Sequence, residues 1–140
     1  MNDKDIMDMI KRHEGYRDRV YLDSLGIPTG GYGHAFLDGS PLPGVVCDIL
    51  FEEDFKIAKK DYEILANRYS LNLNSTRSGV LIDMLFNMGI TRVLGFKKML
   101  SALATGEWDR AADEMENSKW ARQVGKRSTY LAELMRKGEK

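Results

Sequence analysis

The stretch that decides the fold runs from Ile10 to His34 and reads IKRHEGYRDRVYLDSLGIPTGGYGH. Its first part continues a helical pattern of apolar residues, and Gly15 is the residue type that most readily closes a helix. Glu14 is therefore predicted to lie in a last helical turn, where unpaired carbonyl groups disfavour a negative charge. We expect this position to raise the pKa of Glu14, so that its side chain can act as an acid.

Beyond this helix the pattern changes to the alternation of a β-strand, which leads into a run rich in turn-forming residues. A turn over residues 24–28 predicts a hairpin in which Asp23 and Thr29 lie opposite each other on neighbouring strands. The return strand is predicted to continue to His34, and its three glycines indicate a bulge or a close approach of other backbone. The segment thus offers an acid, a second carboxylate and a hydroxyl, a set that commonly cleaves glycosidic bonds.

Each of these three residues also has an ordinary structural interpretation. A single Glu near a helix end is most often a solvated surface charge. Asp before a turn commonly accepts hydrogen bonds from its own backbone, and Thr is frequent in strands for its conformational preference alone. Only the spacing of the three residues favours chemistry over these alternatives.

The segment fits the pattern E-G-x7-D-x5-T-x-G-x-G-H at Glu14, Gly15, Asp23, Thr29, Gly31, Gly33 and His34. This pattern resembles the active-site segment of the phage-type lysozymes, the endolysin muramidases of the T-even phage kind. A second block begins with FNMG at residues 86–89 and continues with GF, WDRAA, SKW and an arginine at residue 127. It is similar in order and spacing to the C-terminal helical lobe of that family, so the resemblance covers nearly the whole chain.

The resemblance implies that Glu14 is the general acid, Asp23 the carboxylate on the opposite side of the sugar, and Thr29 the hydroxyl that positions water. An Asp paired with such a Thr also implies inversion, with carboxyl groups about 6.5–9.5 Å apart and not about 5 Å. The implied substrate is bacterial peptidoglycan, hydrolysed between N-acetylmuramic acid and N-acetylglucosamine. No metal and no organic cofactor is implied, and two histidines with one cysteine could not build an ordinary structural zinc site.

Further residues are placed around these three by the same resemblance. Arg127 is expected to pair with Glu14 across the cleft and to oppose the helix-end effect on the pKa of Glu14. His34 is a tempting acid–base catalyst, but it is expected instead to pair with Asp54 and to tie the sheet to the connecting helix. The remaining substrate contacts are assigned to Gly31, Asn87 and Phe96.

Some of these assignments have structural alternatives that the sequence leaves open. For Asn87, and for Asp83 one turn before it, a satisfied polar group under a loop is as good an interpretation as a cleft-lining side chain. Aromatic rings such as Phe96, Trp108 and Trp120 are more typical of a core than of a sugar platform. Residues 35–45, AFLDGSPLPGV, are shorter than the matching region of the larger family members and leave no room for an additional small-lobe helix.

The rest of the chain is predicted to be helical. Apolar rows at seven-residue intervals indicate one long helix over about 46–68, and Ser75 or Thr76 is expected to cap an apolar helix that lies at the centre of the helical part. Shorter helices are predicted near 96–105, 107–116, 119–123 and 126–137. The predicted fold is α+β, a single lysozyme-like domain with a small lobe containing a short antiparallel sheet (about 12–45), a connecting helix (about 46–69) and a helical lobe (1–11 and 70–140), and with a cleft between the lobes.

The length of 140 residues agrees with one domain that can fold alone. Cys47 is the only cysteine, which excludes an intramolecular disulfide, and it is expected to be buried on a helix. Residues 1–70 carry nine basic and thirteen acidic side chains, whereas residues 71–140 carry twelve and eight. The basic C-terminal segment from Lys119 onward suits an anionic cell wall, and a solvated helix face explains it equally well.

The beginning of the chain carries four charges in ten residues and no apolar run of signal-peptide length, and no stretch approaches a membrane span. We expect synthesis in the host cytoplasm, and the resemblance implies release to the wall by a holin. A monomer without a nucleic-acid partner or stable membrane insertion is expected. The alternatives are a lysozyme-fold binding or regulatory protein that has lost hydrolysis and, less favoured, a helical nucleic-acid binder; the intact catalytic residues favour an enzyme.

Overall fold

A computed structural model describes residues 1–36, 39 and 41–140 of the chain. Eight helices and one three-stranded antiparallel sheet of order β1-β2-β3 lie within these residues, which confirms the α+β prediction. The elements are α1 (Asp3–Glu14), β1 (Arg17–Leu22), β2 (Pro28–Gly31), β3 (His34–Ala35), α2 (Gly44–Tyr69), α3 (Ser75–Met88), α4 (Ile90–Leu94), α5 (Lys97–Ala104), α6 (Trp108–Glu116), α7 (Lys119–Val124) and α8 (Lys126–Lys137).

Helix α1 is defined at both ends by local chemistry. At its start, Asn2 and Asp5 exchange side-chain to backbone hydrogen bonds of 2.8 and 3.1 Å, a capping box. At its end, Gly15 adopts a φ of 71° and its N–H donates to the carbonyl of Lys11 at 2.9 Å. The prediction that Glu14 ends a helix is confirmed. Since the buried face of α1 packs on α3, the position of this carboxyl group is fixed relative to the helical core.

Strands β1 and β2 form the predicted hairpin, but the predicted register is wrong. Thr29 pairs with Tyr21 and not with Asp23. The reason is a tighter turn, because Asp23 Oδ1 accepts hydrogen bonds from the backbone N–H groups of Leu25 and Ile27 at 2.8 and 2.9 Å. These bonds close the turn directly after β1 and move Thr29 two positions along its partner strand.

The predicted single return strand from Thr29 to His34 is also wrong, because two strands occupy this stretch. Gly31, the last residue of β2, and Gly33 have φ values of 58° and 81°, left-handed conformations that interrupt the extended path of the chain. The chain therefore turns after β2, and β3 comes back so that His34 pairs with Gly30. This second turn is what brings the backbone of Gly33 close to α1.

Helix α2 has 26 residues and is about 39 Å long, which confirms the predicted long helix with ends within two residues. Cys47 is buried on it, as predicted, whereas Ile57 and Ile64 of the apolar rows that predicted the helix face solvent. The Phe51 ring lies 5.5 Å from the Tyr32 ring and 5.3 Å from the Phe86 ring, measured between centroids. This aromatic cluster joins the sheet side to α2 and α3.

Helix α3 is buried over most of its length and lies in the centre of the helical part, as predicted. Its cap is Asn74, whose side chain accepts from the N–H of Arg77 at 2.9 Å, so the expectation of a Ser75 or Thr76 cap is wrong. The short helix α4 was not predicted, whereas α5 to α8 lie close to their predicted positions. Trp120 is buried, as expected of a core aromatic residue.

The segment at residues 35–45 is only partly described, because Leu37, Asp38 and Ser40 lie outside the described residues. Its described part contains the end of β3 and the start of α2 and no additional helix. Among the helices of the described ranges, none is long and apolar enough to cross a membrane.

Candidate active site

The Glu14 side chain lies where α1 meets the turn between β2 and β3. Its Oε1 accepts a hydrogen bond from Arg127 Nη1 at 3.1 Å, and only 15% of the side chain is exposed. The ion pair expected from the sequence is therefore present. On the other side, a Cβ atom placed on Gly33 would lie 2.6 Å from Glu14 Oε2. The glycine is needed there because the backbone passes directly over the carboxyl group.

Burial raises the pKa of Glu14 above its usual range, and this effect is larger than the opposing effect of Arg127. Arg127 lowers the pKa through its charge and its hydrogen bond, Asp83 raises it, and His13 lowers it. The predicted direction is confirmed, but its principal cause is loss of water around the carboxyl group and not the helix end. A carboxyl group in this environment remains protonated at a higher pH than an exposed one.

Behind Glu14 lies a buried network that the sequence did not reveal. Asp83 is fully buried, and its Oδ1 accepts from Arg127 Nε at 2.9 Å. Arg127 Nη2 lies 2.8 Å from the same oxygen without an aligned hydrogen bond. The other oxygen, Oδ2, lies 2.7 Å from His13 Nδ1. Asp83 is thus a satisfied polar group, which was one of its two interpretations from the sequence. The feature that could have indicated the network is a carboxylate on an otherwise apolar helix, since a buried carboxylate needs partners.

Asp23 and Thr29 both carry the structural roles that were weighed as alternatives. Asp23 accepts from the turn backbone, as described above, and Thr29 is buried with its hydroxyl donating to the carbonyl of Ile27 at 2.8 Å. Because the hydroxyl proton is committed to this bond, Thr29 Oγ1 can only accept a hydrogen bond from a further partner. These contacts fix both side chains in place and are compatible with a second role for each.

Two cavities in the described part of the chain lie near the C-terminal end of α3, and they differ in their relation to Glu14. The smaller, about 300 Å³, lies between β3, α2 and α3 and is lined by Gly33, His34, Asp54 and Phe86, among others. The larger, about 530 Å³, lies within the helical part, where Phe96 and Trp120 contribute to its wall together with four basic residues, Arg92, Lys97, Lys98 and Lys119. Of these two, the smaller includes Gly33, whose backbone lies against Glu14, so it is the better candidate for the reacting substrate.

The three predicted substrate contacts are not brought together around Glu14. Gly31 is buried, and a Cβ on it would lie 3.2 Å from the side chain of Cys47. Asn87 Oδ1 accepts from the indole N–H of Trp120 at 2.7 Å, and Phe96 lies in the wall of the larger cavity. Phe86, which lines the smaller cavity, was not predicted; its signal was an aromatic residue at the start of the FNMG motif, three positions before the glycine.

His34 pairs with Asp54 as expected, with His34 Nδ1 and Asp54 Oδ2 2.5 Å apart. Since both side chains are about one quarter exposed, the contact is partly screened by water. It links β3 directly to α2.

We expect His34→Asn to lower the free energy of unfolding by about 1 kcal/mol, because a charge-assisted hydrogen bond between two elements is lost. Urea unfolding of the single variants His34→Asn and Asp54→Asn and of the double variant measures the coupling of the pair. The double variant should lose little more than either single variant. Unchanged stability together with lost activity would instead identify His34 as catalytic.

Most of the basic residues of the C-terminal segment are engaged with carboxylates. Arg127 pairs as described, Arg136 pairs with Asp113, Lys137 with Glu133, and Lys140 with Asp5. Because these pairs neutralise much of the excess charge, the segment is a weaker attractor for an anionic polymer than its composition suggests.

An α+β chain that buries a carboxylic acid at the junction of its small sheet and its helices has the architecture of the lysozyme-like glycoside hydrolases. The phage lysozyme family matches residues 11–139, and the chain belongs to this family. The resemblance stated from the motifs is thereby confirmed, and the function of the chain is lysozyme-like.

Individual relatives agree with this assignment. Two proteins named probable T4-type lysozyme 1 and 2, from Dictyostelium discoideum, are each 30% identical over 161 residues, covering 95% of this chain and 94% of the relative. The endolysin of Salmonella phage P22 is 31% identical over 109 residues, covering 74% of this chain and 73% of its own. The pre-baseplate central spike protein of Enterobacteria phage T4 is 26% identical, and the aligned region is 27% of its length.

Proposed function

We propose that the protein is a muramidase that hydrolyses the bond between N-acetylmuramic acid and N-acetylglucosamine in bacterial peptidoglycan, and that it serves as an endolysin in host lysis. The observation that carries this proposal is Glu14, a carboxyl group with a raised pKa next to a cavity. Hydrolysis of a glycosidic bond needs an acid that protonates the leaving oxygen, and a carboxyl group whose pKa is raised by burial holds its proton to a higher pH and can supply it.

Asp23 and Thr29 are proposed to hold the attacking water. A water molecule that donates one hydrogen to the Asp23 carboxylate and the other to Thr29 Oγ1 keeps a lone pair for the anomeric carbon. The existing bond from the Thr29 hydroxyl to Ile27 supports this arrangement, because it leaves Oγ1 as an acceptor. As the water attacks, Asp23 takes its proton and Glu14 protonates the departing sugar oxygen.

The substrate is proposed to lie in the cleft between the small lobe and the helical lobe, over the cavity lined by Gly33 and Phe86. There the apolar face of a sugar ring can pack on an aromatic side chain while its glycosidic oxygen faces Glu14. No metal and no organic cofactor takes part in the proposed reaction. The protein is proposed to act as a monomer, made in the host cytoplasm and given access to the wall by a holin.

The test is mass spectrometry of peptidoglycan fragments after incubation with the protein and reduction with borohydride, with the Glu14→Gln variant as the blank. A muramidase leaves muramic acid at the new reducing ends, so the expected product is muramitol. Reduced glucosamine ends would contradict the assigned bond, and anhydro ends that resist reduction would indicate transglycosylation. Binding to the wall without any released fragment would support the alternative of an inactive wall-binding or regulatory protein.

We expect the reaction to invert the anomeric configuration, because the proposed water is held by Asp23 and Thr29 on the face opposite Glu14. Proton NMR of the first products, recorded before mutarotation, distinguishes the two outcomes. Because the natural linkage is β, the α-anomer should appear first. Early β-anomer would contradict the proposed role of Asp23 and indicate a covalent intermediate.

A further inference from the structure

Two titratable side chains behind Glu14, His13 and Asp83, have no part in the mechanism above. Together with Arg127, they form a network of hydrogen bonds and ion pairs that reaches Glu14. His13 precedes Glu14 at the end of α1, Asp83 lies on α3, and Arg127 of α8 contacts both carboxylates. Arg127 and Asp83 have 8% and 0% of their side chains exposed, and His13 has 14%. Charges in such a site interact more strongly than they would in water.

The Arg127 guanidinium is shared unequally between the two carboxylates. Its Nε and Nη2 lie 2.9 and 2.8 Å from Asp83 Oδ1, whereas its Nη1 lies 3.1 Å from Glu14 Oε1. The hydrogen bond from Nε and the close charged contact of Nη2, both on the Asp83 side, fix the plane of the group and with it the direction in which Nη1 points. Asp83 therefore determines both where the cation lies and how much of its charge Glu14 experiences.

His13 acts on the same carboxylate from the other side. Its Nδ1 is 2.7 Å from Asp83 Oδ2, and its ring packs at a steep angle against that of Tyr130 of α8, with centroids 5.6 Å apart. A protonated His13 offsets part of the negative charge of Asp83. The charged groups that face Glu14 are then His13 from α1, Asp83 from α3 and Arg127 from α8, while the turn between β2 and β3 presents the Gly33 backbone.

We propose that His13 and Asp83 are positioning residues that set the protonation state of Glu14 through Arg127. The expected effect on catalysis rests on the proposed function, in which Glu14 is the acid. The expected effect on the titration of Glu14 does not. Asp83 competes with Glu14 for Arg127, and His13 competes with Arg127 for Asp83. Removing the charge of Asp83 gives Glu14 the whole cation and favours its ionised form. Removing His13 returns negative charge to the network and favours the protonated form.

The test uses Asp83→Asn and His13→Gln, two substitutions that remove the titratable group and keep a polar side chain of similar length. The titration of Glu14 is followed by NMR of 13C-labelled carboxyl groups, and the Glu14→Gln spectrum identifies its signal. The Glu14 midpoint should fall in Asp83→Asn and rise in His13→Gln relative to the unmodified protein. The alkaline limb of the wall-lysis pH profile should move in the same two directions.

A matched control is Asp113→Asn, which also removes a carboxylate paired with an arginine, Arg136, but on an exposed part of the surface. It should leave the Glu14 midpoint unchanged. Equal midpoints in all variants, or shifts of the same sign in Asp83→Asn and His13→Gln, would overturn the proposal, since a merely structural role gives no opposed shifts. If Asp83→Asn fails to fold, the sign of the His13→Gln shift decides.

Because the NMR titration needs no activity, the two proposals fail separately. Opposed midpoint shifts in a protein that releases no wall fragments would support the network and reject the muramidase function. Release of wall fragments together with a Glu14 midpoint that neither substitution shifts would support the muramidase function and reject the network.

Discussion

Glu14→Gln is expected to reduce the rate of wall lysis by about 10²–10⁴-fold, the usual contribution of a general acid, while leaving the fold intact. Glutamine has the shape of the protonated acid and can still accept a hydrogen bond from Arg127, but it has no proton to give. The measurement is the clearing rate of a peptidoglycan suspension. Glu53→Gln, a change of the same chemistry at an exposed site on α2, is the control and should keep the full rate. Full clearing by pure Glu14→Gln would reject the catalytic assignment.

The stability of the same variant at different pH values shows how burial affects the ionisation of Glu14. Burial raises the pKa of Glu14 in the folded protein, so between the unfolded and the folded pKa the native state binds more protons than the unfolded state. The contribution of Glu14 to the free energy of unfolding is therefore fully present below its ordinary pKa of 4.5 and is lost as the pH rises through the folded pKa. Because glutamine does not titrate, Glu14→Gln should gain stability relative to the unmodified protein between pH 4 and pH 7. Urea unfolding at the two pH values measures this gain, and a relative loss would mean that Arg127 outweighs burial.

Local signals in the sequence were sufficient to predict the helices that position the site. Gly15 ends α1 through its own backbone conformation, and the long apolar rows of α2 predict a helix whatever packs against it. The hairpin register was missed because it depends on one side chain: Asp23 accepts from two backbone N–H groups and shortens the turn. Helix α4 was missed because five residues are too few for a period to be recognised.

The contacts that give the site its chemistry were less accessible, because they join residues that are far apart in sequence. Arg127 and Glu14 are separated by 113 positions, and only a family resemblance could bring them together. Asp83 and His13 are separated by 70 positions, and the requirement that a buried carboxylate has partners does not say which ones. The sequence left Asp83 as either a satisfied polar group or a cleft-lining side chain, and the identity of its partners depends on how α1, α3 and α8 pack.

Gly33→Ala is expected to reduce wall-clearing activity more than the addition of a single methyl group at any other position near the site. The new Cβ would lie 2.6 Å from Glu14 Oε2 and 2.9 Å from its Cδ, far inside contact distance. Since the carboxyl group is the end of a side chain, it is the part that moves, and its bond to Arg127 Nη1 is lost or lengthened. A displacement of about 1 Å at a catalytic group costs about 10²-fold in rate. Wall clearing by the purified variant measures the effect.

Backbone strain must be separated from this displacement, because Gly33 has a φ of 81° and alanine is disfavoured there by about 1–2 kcal/mol in any case. Gly106→Ala is the matched control: Gly106 has a φ of 75°, and a Cβ on it would meet only Trp108, at 3.7 Å, an ordinary contact. Gly106→Ala should lose only the stability that backbone strain costs, and Gly33→Ala should lose more because its Glu14–Arg127 pair is also disturbed. Only Gly33→Ala should also lose activity. Equal activity in the two variants would mean that the Glu14 carboxyl group tolerates the methyl group, and that the backbone of this turn does not hold the acid in place.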